Sequence, residues 1–239
     1  MSPEAPAGSG SVARAIRTPR AAALAGIAFS VLFSVALVLV GTAVPADPRD
    51  AEEWLSDSSR RDAVLFALGL VPFAGIAFLW FVGVLRDRIG EQEDKFFATV
   101  FLGSGLLFVG MLFVAAAVSA GLVAGAGDHA DSLLSSGTWE FGRRTADELM
   151  SVYAMRMAAL FTIAASVILL RTRTAPRWLV VTGYATGVLL LVAAGFVAWI
   201  ELAVPAWVLA LSVYVLVAGL RRDRAAGPGS TEMAGRHGV

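Results

Sequence analysis

The chain has 239 residues, of which 57% are hydrophobic and 16% are charged, and its mean hydropathy is +0.73. Soluble domains are about 45–50% apolar and about 25% charged, so this composition indicates a membrane protein. The 19 basic and 19 acidic residues cancel, so the chain lacks the basic surplus typical of nucleic-acid-binding proteins. Cysteine is absent, which excludes disulfide exchange, thiolate catalysis and cysteine-ligated clusters. All but one of the basic residues are arginine, a skew typical of a GC-rich bacterial genome.

The apolar residues are concentrated in runs long enough to cross a bilayer as helices, which takes about 20 residues each. We predict an all-α, polytopic transmembrane bundle whose six spans are about 21–44, 63–85, 96–121, 151–170, 178–199 and 203–220. The ends, 1–20 and 221–239, are predicted to be disordered cytoplasmic tails because of their composition. Val44-Pro45-Ala46 has the small residues of a signal-peptidase site. The apolar run before it exceeds the usual length of about 7–15 residues, which favours an uncleaved helix.

The first connections carry capping and turn signals. Segment 45–61 is acidic around Trp54, and Asp47-Pro48 is an N-cap and first-turn pair, so we predict a short interfacial helix with Trp54 at the lipid headgroups. Pro72 lies inside the second span and is expected to kink it unless a neighbour compensates. The densest charge cluster, 86–95, predicts a solvated hairpin.

The later connections are predicted from polar residues in an apolar background. The longest loop is predicted to run from Asp128 to Thr145, where Thr145-Ala146-Asp147-Glu148 forms a capping box for the fourth helix. The apolar stretch 178–220 is about twice the length needed to cross once. A tight turn is therefore predicted near Glu201 to Pro205, with Pro205 starting the sixth span.

The orientation follows from the distribution of lysine and arginine. With six spans, thirteen of the 19 basic residues fall on the side of the two termini and five on the other side, Arg156 being the nineteenth. Basic residues accumulate on the cytoplasmic side of membrane proteins. We therefore predict that both termini are cytoplasmic, in the cytoplasmic membrane of a bacterium.

Arg156 is the one full charge inside a strongly apolar span. It lies roughly 7–8 Å from the start of the fourth span, and helical side chains lean toward the N-terminus, so it can reach the outer headgroups. Alternatively, Arg156 faces inward and lines a cavity. Its best partner is then Glu201, at similar depth on the same side, with the hydroxyl of Tyr153 one turn away; Asp62 and Glu148 are weaker candidates. Arg156, Glu201 and Tyr153 are the candidate intramembrane polar site.

Small residues recur every four positions in three stripes, which are Gly26, Ser30, Ser34; Ala117, Gly121, Gly125; and Ala154, Ala158, Thr162, Ser166. Such stripes let helix backbones approach closely in lipid. We expect packing within the chain, with homodimerisation as the alternative.

No catalytic set is visible in the sequence. Gly103-Ser104-Gly105 resembles an intramembrane serine nucleophile, but no histidine lies in any span to act as its base, and haem held by paired helix histidines is excluded. Asp128, His129 and Asp131 are of the types that ligate metals, but in a Gly-rich loop they are expected to be solvated. We predict no catalytic residue, no metal and no cofactor.

Two adjacent stretches carry a resemblance, Leu85-Arg86-Asp87-Arg88-Ile89-Gly90 and Phe96-Phe97-Ala98-Thr99-Val100-Phe101-Leu102-Gly103-Ser104-Gly105. They resemble a recurring segment of uncharacterised bacterial multi-span membrane proteins. The resemblance covers about twenty residues and implies location and fold, with no known activity.

The leading expectation is a structural, interaction or accessory membrane protein, whose partners are the lipid bilayer and a membrane protein or a second copy. Transporters place several ionisable residues at mid-membrane, and this chain has almost none there. A small transporter or channel with a site near Arg156 is the alternative, because three spans followed by three of opposite orientation is the parity of an inverted repeat. An enzyme is the third possibility.

Overall fold

The structure, a computed structural model, describes residues 19–44, 53–54, 57–87, 95–197 and 199–225. Nearly all of them are helical, and no strand occurs among them, so the predicted all-α class is confirmed. The long helices are α1 (Pro19–Ala43), α2 (Ser58–Asp87), α3 (Lys95–Ser135), α4 (Thr138–Thr172), α5 (Arg177–Ala193) and α6 (Ala203–Ala225). Helix α4 is continuous but has a π-helical section, Leu149–Ala154, and a 3₁₀ turn, Ile200–Leu202, precedes α6.

Five of these helices, α1 to α4 and α6, are long and apolar enough to cross a membrane. Helix α5 is a shorter apolar helix of 17 residues, about 26 Å long at 1.5 Å per residue, close to the roughly 30 Å of a hydrocarbon core. A helix satisfies its own backbone hydrogen bonds, which is what an apolar solvent requires. The described chain therefore holds five to six helices that could span a membrane.

The bundle has two distinct ends. One, called the hairpin end below, contains the turn at Ser136 and Gly137 between α3 and α4. Gly41 of α1 also lies at this end, close to the ring of Trp199, which precedes α6. The other, called the termini end below, brings Ala22 near the start of α1 together with Val215 of α6. Neighbouring helices pack in the order α6, α1, α2, α3, α4, α5.

The centre of the bundle is filled by aromatic rings. Seven buried phenylalanines from four helices form it, here called the phenylalanine cluster: Phe29, Phe33, Phe78, Phe81, Phe101, Phe108 and Phe161. Phe78 is its hub, with its ring centroid 4.8 Å from that of Phe29, 5.2 Å from Phe108 and 4.9 Å from Phe161. Tilted and edge-to-face rings at these distances are favourable packing partners.

The predicted loop between Asp128 and Thr145 is wrong. Helix α3 continues to Ser135, and α4 begins at Thr138 after a turn in which Gly137 takes the left-handed conformation, with φ of 71°. The start of α4 has alternating polar and apolar faces and buries Trp139, so a helix is stable there without an apolar span. The capping box is wrong for the same reason, because Thr145 lies inside the helix and its hydroxyl donates to the carbonyl of Phe141.

The turn between α5 and α6 falls earlier than Glu201 to Pro205. Helix α5 ends at Ala193, and the chain reverses through Gly195, with φ of 84°, and Trp199, with φ of 65°. Glycine adopts this left-handed conformation at little cost, and it stops the helix inside the apolar run. Pro205 lies in the first turn of α6, where proline is tolerated.

Other predictions meet the structure in part. Helix α2 continues through Pro72, so the helix does not break there. Of the predicted interfacial helix, residues 45–52 and 55–56 lie outside the described residues, as do 88–94 of the charged turn. Trp54 is 1% exposed, so its ring is covered by protein.

Two of the three small-residue stripes pack within the chain. A Cβ on Gly26 would lie 2.0 Å from Oγ of Ser212 in α6, and Ser166 is fully buried, with its Oγ 2.1 Å from a Cβ built on Gly183 in α5. The third stripe, Ala117, Gly121 and Gly125, is exposed on α3. Close helix approach therefore explains the first and the last stripe only.

Candidate functional site

A cavity of about 290 Å³ lies at the hairpin end between α1, α2, α3 and α4. Its deep end is lined by Phe33 and Leu112, next to the phenylalanine cluster. Its walls are mainly alanine, valine and leucine side chains, with Trp54, Trp139, Ser119, Arg143 and Asp147 as the polar or aromatic exceptions. Ligand sites have this make-up, with mostly apolar walls and a few placed polar groups, and volumes from about 300 Å³ upward.

Two tryptophans, Trp54 and Trp139, form part of the cavity wall at the hairpin end. The rings of Trp54 and Trp139 lie 5.7 Å apart, centre to centre, and tilt by 39°. Trp54 donates its indole N–H to the carbonyl of Ala43, at the last residue of α1. The hydrogen bond ties Trp54 to the end of α1, and the ring contact places it against Trp139 at the start of α4.

Charged residues follow one another along the first turns of α4. Arg143 lies 3.5 Å from the carboxylate of Glu140, and Arg144 also donates to Glu140. The Arg143 side chain is 32% exposed and lines the cavity, whereas Arg144 is 76% exposed. Asp147, one turn further, also lines the cavity and accepts a hydrogen bond from Ser151. The cavity mouth thus carries one guanidinium and one carboxylate.

Two N–H donors in this wall lack partners in the described part of the chain. They are Nε1 of Trp139 and Nε of Arg143, and both atoms are buried. Trp139 as a whole is 6% exposed. A buried donor without an acceptor costs about 1–3 kcal/mol, so native structures keep such groups rare. Both donors belong to side chains that line the cavity.

The three residues of the predicted polar site, Arg156, Tyr153 and Glu201, are all described, and none of them pairs with another. No ion pair within 4.0 Å joins Arg156 to Glu201, both of which are described residues. Arg156 is partly buried and donates from Nη1 to the carbonyl of Val152 at 3.2 Å. The side chain of Tyr153 is 53% exposed and faces away from the core. The guanidinium thus leans toward the start of α4, as helical geometry favours.

The carbonyl that Arg156 contacts belongs to the π-helical section of α4. A π turn shifts the hydrogen-bond pattern from four to five residues and disturbs the carbonyl register locally. Arg156 follows this section directly and gives its guanidinium to a carbonyl within it. Such sections are frequent at functional sites, and Met150 of this one also lines the cavity.

The residues that sequence reasoning missed are Trp139 and Arg143. Both fall in the segment that was predicted to be a loop. A loop has no helical face, so their spacing had no meaning in that prediction. The signal was present, because Trp139, Arg143, Ala146 and Met150 recur at helical spacing and all line the cavity.

The metal-ligand residue types and the serine noted in the sequence have the following settings in the bundle. No group of three histidine, aspartate or glutamate side chains that could hold a metal occurs among them. The backbone of Asp128, His129 and Asp131 belongs to α3, while their side chains lie outside those described. The hydroxyl of Ser104 donates to the carbonyl of Val100 at 2.6 Å. This serine is part of helix packing, and among the described residues its hydroxyl bonds to backbone carbonyls and not to a base.

No family model matches this chain, and no curated protein or solved structure matches it either.

Proposed function

We propose that this chain is an accessory membrane protein that acts by binding within the membrane and carries no solute across it. It spans the bacterial cytoplasmic membrane six times, with both termini inside. The observation that carries this proposal is the phenylalanine cluster. Its seven buried rings fill the middle of four helices, where a transporter or channel would need polar groups or a path for solute.

The positions of the charges support this orientation. Arg86, Arg171, Arg173 and Arg177 lie at or beside turns of the termini end. Basic residues stay on the cytoplasmic side because moving them across is costly. The guanidinium of Arg171 also lies 4.7 Å from the ring centre of Phe97, which ties the α4–α5 turn to the start of α3.

The exposed stripe Ala117, Gly121 and Gly125 on α3 supports a binding role. Its small side chains would let the helix of a partner or of a second copy come close. Two similar stripes are already used inside the chain, so this chemistry is the one that the bundle uses for helix contacts.

A small transporter is the second candidate, and the cavity at the hairpin end favours it. A site in this half of the bundle was expected near Arg156, but Arg143 and Asp147 line the cavity instead. The cavity ends at Phe33, whose ring lies 6.0 Å from that of Phe108 in the phenylalanine cluster. A route to the other end would have to part those rings.

The experiment compares the permeability of vesicles that contain the purified protein with that of protein-free vesicles. We expect no added permeability to protons, potassium or glycerol. The variant Phe78→Ala, which removes the hub ring, is the positive control for a leak through the cluster. Flux through the unaltered protein would contradict the proposal and favour the transporter.

The binding role is tested by purifying the protein from native membranes in a mild detergent. We expect an identified membrane-protein partner or a second copy in fixed proportion, confirmed by purification from the partner's side. Gly121→Leu should reduce this complex, and Gly110→Leu, at another exposed glycine of α3, should not. A monomer that carries no partner under these conditions would contradict the role.

A further inference from the structure

We propose that the cavity at the hairpin end binds an amphiphile with one apolar chain and one singly charged anionic head group, such as a carboxylate or a phosphodiester. The apolar chain occupies the cavity between the deep end at Leu112 and the mouth. The head group accepts hydrogen bonds at Arg143 and Trp139. This site goes beyond the accessory role proposed above and does not depend on it.

The shape of the cavity fits a single chain. Its lining residues run from Leu112 to Val123 along α3 and from Trp139 to Met150 along α4, which is about 16 Å in each case at 1.5 Å per residue. An apolar cavity of about 150 Å³ already binds benzene and excludes water, and this one has about 290 Å³. Its length and apolar walls therefore favour an extended hydrocarbon chain over a column of water.

The cavity reaches the surface at its mouth. Gly41 and Asp147 both line it and are both exposed. The deep end is buried, with Phe33 1% and Leu112 2% exposed. A ligand that enters from the surface thus has its polar end at the mouth and its apolar end near the phenylalanine cluster.

The donors at the mouth select the head group. Trp139 is 94% buried, and its Nε1–H and the Nε–H of Arg143 have no partner in the described part of the chain. Both can only donate hydrogen bonds, so the group that satisfies them must bring acceptor oxygens. The positive charge of Arg143 makes an anionic oxygen the strongest acceptor.

The acidic neighbours set the charge of the ligand at one. Glu140 offsets part of the Arg143 charge at 3.5 Å, and the carboxylate of Asp147 also lines the cavity. A head group with two negative charges would be repelled by Asp147 more strongly than one with a single charge. This argues for a carboxylate or a phosphodiester over a phosphate monoester.

The test uses alkyl sulfonates, because they carry a single negative charge at any working pH. Binding to the purified full chain in a neutral detergent is measured by native mass spectrometry, from octyl to octadecyl chains. We expect one molecule per chain. Referred to the concentration of monomeric sulfonate in water, each added methylene should tighten binding about fourfold until the cavity is full, and further methylenes should add little. Alkyl alcohols and alkyl trimethylammonium ions of equal length are the neutral and cationic comparisons and should bind at least tenfold more weakly.

The two adjacent arginines give a matched pair of variants. Arg143→Gln should weaken binding of the sulfonate about tenfold or more, because a charge-assisted hydrogen bond is lost. Arg144→Gln should change it less than twofold, since Arg144 points to Glu140 at the exposed surface. Equal effects of the two variants would overturn the site.

Two more variants keep the proposal testable if Arg143→Gln does not fold. Asp147→Asn removes the exposed carboxylate and should tighten binding about two- to fivefold. Ser119→Leu fills the cavity from α3 and should abolish binding, whereas Gly110→Leu on an exposed face of the same helix should not. Binding that ignores chain length, or that is equal for alcohols and sulfonates, would overturn the proposal.

Discussion

Gly183 in α5 is a position where one added methyl group should destabilise the bundle. A Cβ built on it would lie 2.1 Å from Oγ of Ser166 in α4 and 2.8 Å from Cζ2 and Nε1 of Trp207 in α6. The tryptophan ring is held in place, because its Nε1 donates to the carbonyl of Leu179 at 3.1 Å in a buried site. Gly183 therefore lets three helices meet, and Gly183→Ala must move the ring or the hydroxyl.

The magnitude follows from three contributions. Overpacking a tight contact costs about 1–3 kcal/mol. Displacing Trp207 from Leu179 leaves a buried N–H unpaired, at about 1–3 kcal/mol. Alanine is better than glycine in a helix by about 0.5–1 kcal/mol, which offsets part of this loss. We expect Gly183→Ala to lower the free energy of unfolding by about 1–5 kcal/mol.

The matched control is Gly110→Ala in α3, where the same methyl would meet nothing within 4 Å. This variant should be unchanged or more stable by up to about 1 kcal/mol. Unfolding is followed by circular dichroism as sodium dodecyl sulfate is added to protein in a neutral detergent. A Gly183→Ala protein as stable as Gly110→Ala would refute the helix contact described here.

Three further predictions follow from other parts of the bundle. In sealed vesicles of known orientation, Ser136→Cys should react with a membrane-impermeant thiol reagent from the periplasmic side and Thr174→Cys from the cytoplasmic side; the opposite pattern would overturn the proposed orientation. Ser212→Ala should be neutral or stabilising by about 1 kcal/mol in the same unfolding titration, because the buried Ser212 hydroxyl has no partner among the described residues, and a marked loss would reveal one. Arg156→Glu and Glu201→Arg should have additive effects on stability, within about 0.5 kcal/mol, because the two side chains form no ion pair; rescue in the double variant would contradict this.

The apolar helices could be predicted from the sequence because each is a long, continuous run of apolar residues that is recognisable on its own. A run such as 21–44 needs no knowledge of its neighbours to be assigned as a helix, since an apolar solvent leaves the backbone no other choice. The same reasoning fails at 128–145. There the helix is stabilised by contacts of one face, including buried Trp139, and those contacts are made by residues far along the chain. Periodicity at Trp139, Arg143 and Ala146 was the only local clue.

The candidate site was harder to predict for a related reason. Arg156 attracts attention as a charge in an apolar run, yet its guanidinium is satisfied locally by the carbonyl of Val152. Arg143 lies among other charges and looks solvated in the sequence, yet its Nε is buried in the wall of the cavity. The sequence gives charge and spacing, whereas the cavity is made by four helices together. Its position could not be inferred from any one of them.

The reactivity of two serine positions on α3, each changed to cysteine in this cysteine-free chain, is the sharpest test of the closed centre of the bundle. Ser119 lines the cavity at the hairpin end, and Ser104 is 5% exposed beside the phenylalanine cluster. We expect Ser119→Cys to react with a small charged thiol reagent from the periplasmic side only, and an excess of alkyl sulfonate to protect it. Ser104→Cys should react from neither side. Labelling of Ser104→Cys from either side would reveal a path through the centre and contradict the proposed function.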